Sequence, residues 1–206
     1  HQSADFSIRL LQAAEKTEGN KKQIVLSPLS ASYALSMVSN GANGDTQQEL
    51  FEALGFDGFS VEDINAFNKK LMENLVDLDN TAAVHIANSL WLNKDFKAKD
   101  AFKGTLVANY EAEVGTYDFG KPETKDLINE WCEEKTNGRI KDFITELFPH
   151  QRFVLLNAIY FKGGWKTNSR KWKQANSRQK LAVSRMWIIC ISKNINIYTW
   201  RMTNMP

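Results

Sequence analysis

Apolar residues recur at helical spacing through much of the chain, and two segments break that rhythm with alternating or unbroken apolar runs. Phe6, Leu10, Ala13 and Ala14 mark one face of a helix from about Ser3 to Thr17, ended by Glu18-Gly19-Asn20. Ile24-Val25-Leu26 reads as a short strand running into Ser27-Pro28. There Ser27 caps a second helix, and Pro28 sits in the first turn, where a missing N–H costs nothing. This helix carries Tyr33, Ala34, Leu35, Met37 and Val38, and Gly41 stops it. Thr46 and Glu49 predict a capping box for a short helix bearing Leu50, Phe51 and Leu54 and closed by Gly55. Ser60 opens a longer helix with Ile64, Phe67, Leu71, Leu75 and Leu78 on one face.

A strand follows, in which Val84, Ile86, Leu90 and Leu92 alternate with Ala83, His85, Ala87, Ser89 and Trp91. Phe102, Leu106 and Tyr110 at fourfold spacing mark another helix, and Val114 to Phe119 another short strand. Pro122 introduces a helix holding Leu127, Ile128 and Trp131, with Gly138 just past its end. Phe153 to Phe161 is then apolar except for Asn157, a pattern that suits a strand covered on both faces. Gly163-Gly164 interrupts it, and no internal repeat is present. The expected architecture is α+β, with helices packed around one large mixed sheet.

Charge divides the chain at Trp165. Residues 1–165 hold all 24 acidic and 17 of the 26 basic residues, a net charge of −7, whereas residues 166–206 carry nine Lys or Arg and no acid. Periodicity fades at the same point. Lys171-Trp172-Lys173 and Met186 to Ile191 show apolar residues without a steady period or caps. Two readings of this basic tail stay open. It binds an anionic partner, making the protein an interaction protein, or it is translated from a shifted frame or misassigned exon, and the joint loss of acids and periodicity favours the second. No nucleic-acid partner is expected, and no apolar run approaches the roughly 20 residues of a membrane span. His1 is not an initiator methionine, so an upstream segment is expected to have been removed or cropped; no signal peptide is visible.

Catalytic motifs are missing from the sequence: no GxSxG elbow, Walker loop, GxGxxG fingerprint or HExxH helix occurs. His1, His85 and His150 lie in unrelated contexts, and Cys132 and Cys190 are far apart with no CxxC spacing, so neither a zinc site, another metal site nor a cofactor is expected. Ser27 is explained as a helix cap rather than a nucleophile, and no catalytic residue is assigned. Asn157 asks for more, because an amide in an apolar strand must find partners or lose about 1–3 kcal/mol. Ser27 and Ser30, one helical turn apart, are placed to face it. Asn157 is either a satisfied buried amide, which the residues alone favour, or a latch beneath a sheet that opens. Trp165 fits ordinary core or a plug at the sheet's end, and its spacing does not choose.

Several long motifs occur in the order in which they stand in the serpins, the serine-protease-inhibitor family. Ser27-Pro28-Leu29-Ser30, continuing through Ala34-Leu35-Ser36-Met37 to Gly41-Ala42-Asn43-Gly44-Asp45-Thr46 and Glu49-Leu50, resembles the serpin signature of helices B and C. Asn88-Ser89-Leu90-Trp91 resembles the second strand of the main sheet, and Phe102 to Tyr110 followed by Asp118-Phe119 resembles helix E and the first strand. Ile128 to Trp131 with Thr136 to Ile140 is similar to the helix F region, and Leu156 to Trp165 to the third strand.

The resemblance covers residues 1–165 and implies a serpin-like but incomplete fold. It places Ser27, Ser30 and Asn157 in the shutter, where the sheet parts, and Trp165 in the breach above it. In this family a target serine protease cleaves an exposed reactive loop and is trapped as an acyl-enzyme while the loop inserts beside the third strand. The implied setting is extracellular. Residues 166–206 resemble neither that loop nor the later strands, so no reactive bond is expected here and the chain is expected to be inactive as an inhibitor. The shutter's histidine partner is missing too. Phe153 to Phe161 is expected to be a bare edge open to self-association, beside a poorly packed tail.

Overall fold

The computed structural model describes residues 2–18, 24, 26–76, 82–163, 183–192 and 198–199. Their elements run in the order α1 (Gln2–Glu18), α2 (Pro28–Ser39), α3 (Asp45–Leu54), α4 (Val61–Val76), β1 (Ala82–Asn93), α5 (Asp100–Tyr110), β2 (Glu113–Tyr117), α6 (Pro122–Lys135), β3 (Phe153–Gly163), β4 (Val183–Ser192) and β5 (Tyr198–Thr199). One mixed sheet joins the strands in the order β2-β1-β3-β4-β5. Only β1 and β2 run parallel, and the remaining neighbours are antiparallel. The expected α+β class, with helices on a large mixed sheet, is the architecture found.

Local chemistry explains several helix ends. The Ser27 hydroxyl accepts the Ser30 N–H at 3.2 Å, and Pro28 starts α2 where no donor is lost. Ser60 and Asp63 cap each other before α4, the Ser60 Oγ donating to the carboxylate at 2.6 Å and accepting the Asp63 N–H at 3.1 Å. Gly55 ends α3 in the left-handed conformation, which its φ of 75° requires.

Other expectations fail locally. Thr46 and Glu49 form no capping box: α3 begins at Asp45 with Gly44 as its N-cap, two residues before Thr46, so Thr46 already lies inside the helix. Ile24 and Leu26 are irregular rather than a strand. Phe67 is 52% exposed and only edges against Phe56, because α4 turns Ile64, Asn65, Asn68 and Met72 inward instead. The two asparagines are tolerated there because both are bonded (Asn65 to Asn40 and Tyr110, Asn68 to Tyr110). Leu78, Val25 and Trp165 fall outside the described residues.

The sheet separates two cores. On one face Leu90, Leu92, Leu155 and Ile159 pack with Tyr33, Ala34, Met37, Leu106 and Tyr110 from α2 and α5. On the other, Trp91, Val154, Leu156, Ala158 and Tyr160 pack with Ile128, Trp131 and Cys132 of α6 and with Phe119 and Ile140. Apolar side chains on both faces of β3 make its unbroken apolar run intelligible.

The bare edge expected at Phe153–Phe161 is not found. Backbone residues 183–192 pair with β3 from Val154↔Ser192 to Gly163↔Val183. The segment Val183-Ser184-Arg185-Met186-Trp187-Ile188-Ile189-Cys190-Ile191-Ser192, rich in β-branched residues, supplies strand propensity where only a fading period was legible. Helix α2 lies across both β3 and β4, whereas α6 packs on β3.

Candidate functional site

The centre of the sheet is polar. Asn157 in β3 and Asn88 in β1 are directly opposed in the antiparallel register, and both are buried. The Asn157 Nδ2 donates to the Asn88 Oδ1 at 2.8 Å, and the Ser30 hydroxyl, fully buried at the start of α2, donates to the Asn157 Oδ1. Asn88 passes the chain on, its Nδ2 donating to the Tyr110 carbonyl at 2.7 Å where α5 ends. One line of hydrogen bonds therefore crosses α2, β3, β1 and α5. In a buried setting each link is costly to leave unmade, about 1–3 kcal/mol per orphaned group.

Ser27, Ser30 and Asn157 thus stand near one another, but with unequal parts. Ser30 touches the amide, while Ser27 acts only on backbone, as the cap that aims α2 and with it Ser30. Asn88 is the residue that sequence reasoning missed, although it opens the Asn88 to Trp91 motif. The signal was the one that drew attention to Asn157: an amide at an inward position of a buried strand.

A second polar group lies behind the first. The Tyr110 hydroxyl donates to the Asn65 Oδ1 at 2.8 Å and accepts from the Asn68 Nδ2 at 3.3 Å. Asn65 and Asn40 exchange two amide bonds, at 2.8 and 3.0 Å, which tie α4 to the end of α2. Burial pushes the Tyr110 phenol up to about 12 and raises Tyr33 further still, with the nearby Tyr110 adding to it, so both stay neutral at any physiological pH.

Among the described residues none has the layout of a nucleophile and its base. Ser27 Oγ is engaged as an acceptor in the helix cap, His85 is exposed with its ring 5.6 Å from that of Tyr160, and His150 stacks on Phe148 at 5.4 Å. Cys132 is buried in the α6 core, and Cys190 lies in β4 opposite Leu156 in the register. Among the described residues no group of His, Cys, Asp and Glu is arranged to hold a metal ion, and no helix is long and apolar enough to cross a membrane.

The described residues thus build a mixed sheet covered by helices on both faces, with a buried hydroxyl–amide line joining its central strands to an overlying helix. Comparison with known proteins gives the family. The family model "Serpin (serine protease inhibitor)" matches residues 1–180, fifteen residues past Trp165, and the chain belongs to that family. It is 35% identical over 175 residues to Iripin-3 of Ixodes ricinus, covering 82% of this chain and 44% of that protein. A latent-state structure of the thermophilic serpin tengpin superposes with a TM-score of 0.74 at 33% identity, over 81% of this chain and 44% of that one. The reactive-loop-cleaved form of human thyroxine-binding globulin fits with the same TM-score of 0.74 at 28% identity, over 99% of this chain and 65% of that one. The chain spans less than half the length of the curated relatives it matches.

Proposed function

We propose that the chain is the N-terminal part of a serpin-type inhibitor of serine endopeptidases, working outside the cell in its intact form. Ser30, Asn157 and Asn88 then form the shutter, with Ser27 setting the pitch of α2 and Trp165 as the breach residue. The observation that carries this reading is the buried line Ser30–Asn157–Asn88, which spans the two central strands beneath a helix that also lies across β4. Its use is conformational rather than catalytic: the bonds hold the strands together until the sheet opens to accept another strand. Asn88 accepts the Asn157 amide donor and so closes the line across the two strands.

In the form of these 206 residues the protein does not inhibit, because no segment resembles a reactive loop and so no bond is offered to a protease. The experiment is to incubate the full chain with trypsin, chymotrypsin and elastase and to resolve the mixtures on denaturing gels. The expected result is ordinary digestion with undiminished protease activity. A stoichiometric, detergent-resistant complex with any of the three enzymes would show that a bait segment is present after all.

A further inference from the structure

The strand β1 is only half paired on one side. Parallel pairing with β2 begins at Ser89↔Glu113 and ends at Asn93↔Tyr117, while β3 pairs with β1 from residue 82 to Leu92. Residues 82–88 therefore present an edge with no ladder partner among the described residues, about 23 Å long at the usual strand rise. The edge is not flat surface. It forms one wall of a cleft of about 360 Å³, bounded by His85, Ile86, Ala87 and Asn88 on β1 and by Glu111, Glu113, Glu134, Lys135 and Asn137 opposite.

The charge of that opposite wall sets what the edge would accept. It is acidic. Three carboxylates face one ammonium, Lys135, which sits 2.8 Å from Glu113 and 3.1 Å from Glu134. Glu111 is exposed and in no ion pair among the described residues.

We infer that the open edge of β1 and its acidic wall form a docking site for an extended basic segment of a partner protein, which adds as a strand beside residues 82–88. Backbone hydrogen bonds to the edge supply affinity, and lysine or arginine side chains reaching Glu111, Glu113 and Glu134 supply selectivity. This site lies on the side of β1 away from β3 and β4, so it does not depend on the inhibitor reading.

The test is fluorescence anisotropy with the full chain and a labelled seven-residue alternating Lys-Val peptide. Two controls share its length: a Glu-Val peptide, and the Lys-Val peptide N-methylated at every second residue, which cannot complete a ladder. The expected result is saturable binding of the basic peptide, with both controls weaker by about tenfold or more. Replacing Glu111→Gln, Glu113→Gln and Glu134→Gln together is expected to weaken the basic peptide by a similar factor at unchanged far-ultraviolet circular dichroism. Equal binding of the N-methylated peptide, or indifference to the three substitutions, overturns the site. So does a tenfold gain when the six Lys and Arg of residues 164–182 become Gln, since that shows the chain's own basic segment to be the occupant.

Discussion

The two faces of the sheet use different chemistry for one task. Under α6 the contact is apolar and aromatic, with Trp91, Trp131, Phe119, Val154 and Leu156 closing on one another. Under α2 an equally buried surface carries Ser30, Asn157, Asn88, Asn65, Asn68 and the two tyrosine hydroxyls. An apolar contact loses stability gradually as it slides, because burial has no direction. A hydrogen-bonded line is all or nothing, since a shift of one residue orphans several buried groups at once. Under the proposed function, the α2 face is the one that discriminates between closed and open arrangements of β1, β3 and β4, and the α6 face holds the sheet together in either.

The largest effect that bears on this contrast is removal of the outer strands. A chain ending at Gly163 loses β4, which pairs along β3 and underlies α2, and so exposes a long apolar edge. We expect insoluble or oligomeric material by size-exclusion chromatography. A soluble monomer with a sharp thermal transition would show that β4 contributes little to either face.

Next in size is the latch itself. Asn157→Ala leaves the Ser30 hydroxyl and the Asn88 carbonyl unpaired and should cost about 2–5 kcal/mol by urea denaturation. Ser30→Ala should cost about 1–2 kcal/mol, and the double variant should fall short of the sum by about 1 kcal/mol or more. Additive losses would mean that the α2 face, like the α6 face, is merely packed.

A smaller effect comes from pH. Tyr110 and Tyr33 both have folded pKa values raised above the ordinary 10.0, chiefly by burial. Their contribution is complete below about pH 10 and is lost as the pH climbs toward the folded values, because the unfolded chain releases these protons first. The α2 face should therefore lose about 1–3 kcal/mol between about pH 9 and 12, read from urea midpoints, and Tyr33→Phe with Tyr110→Phe should flatten that fall. The smallest change is Lys135→Met. It cuts α6 from Glu113 at a partly exposed ion pair and should alter stability by no more than about 1 kcal/mol.

The sequence disclosed most elements because their signals are local. The Ser27-Pro28 start, the Gly55 stop and the alternation through Val84–Leu92 each depend on neighbours in the chain, and each is found where expected. What it withheld depends on partners far away. Asn88 and Asn157 are 69 residues apart, so that their pairing became visible only with the register. Phe67 kept helical spacing yet lies on the flank of α4, because Asn65 and Asn68 have hydrogen-bond partners that make them the better inward residues. The strand at Val183–Ser192 was hidden by the basic composition around it, a property of the whole tail that says little about ten residues within it.

The opposed asparagines of β1 and β3 also have a consequence for how the sheet is assembled. Antiparallel strands as apolar as these can pair in several alignments that keep the same side chains inward, each offset by two residues. A shift of that kind sets Asn157 against Ile86 or Leu90, and Asn88 against Leu155 or Ile159, so that two amides are buried facing hydrocarbon. At about 1–3 kcal/mol for each such group, the misaligned sheets are disfavoured by roughly a hundredfold or more while the chain is still folding. The amide pair is an alignment mark, written once on each strand, that lets a long apolar ladder recognise its own register.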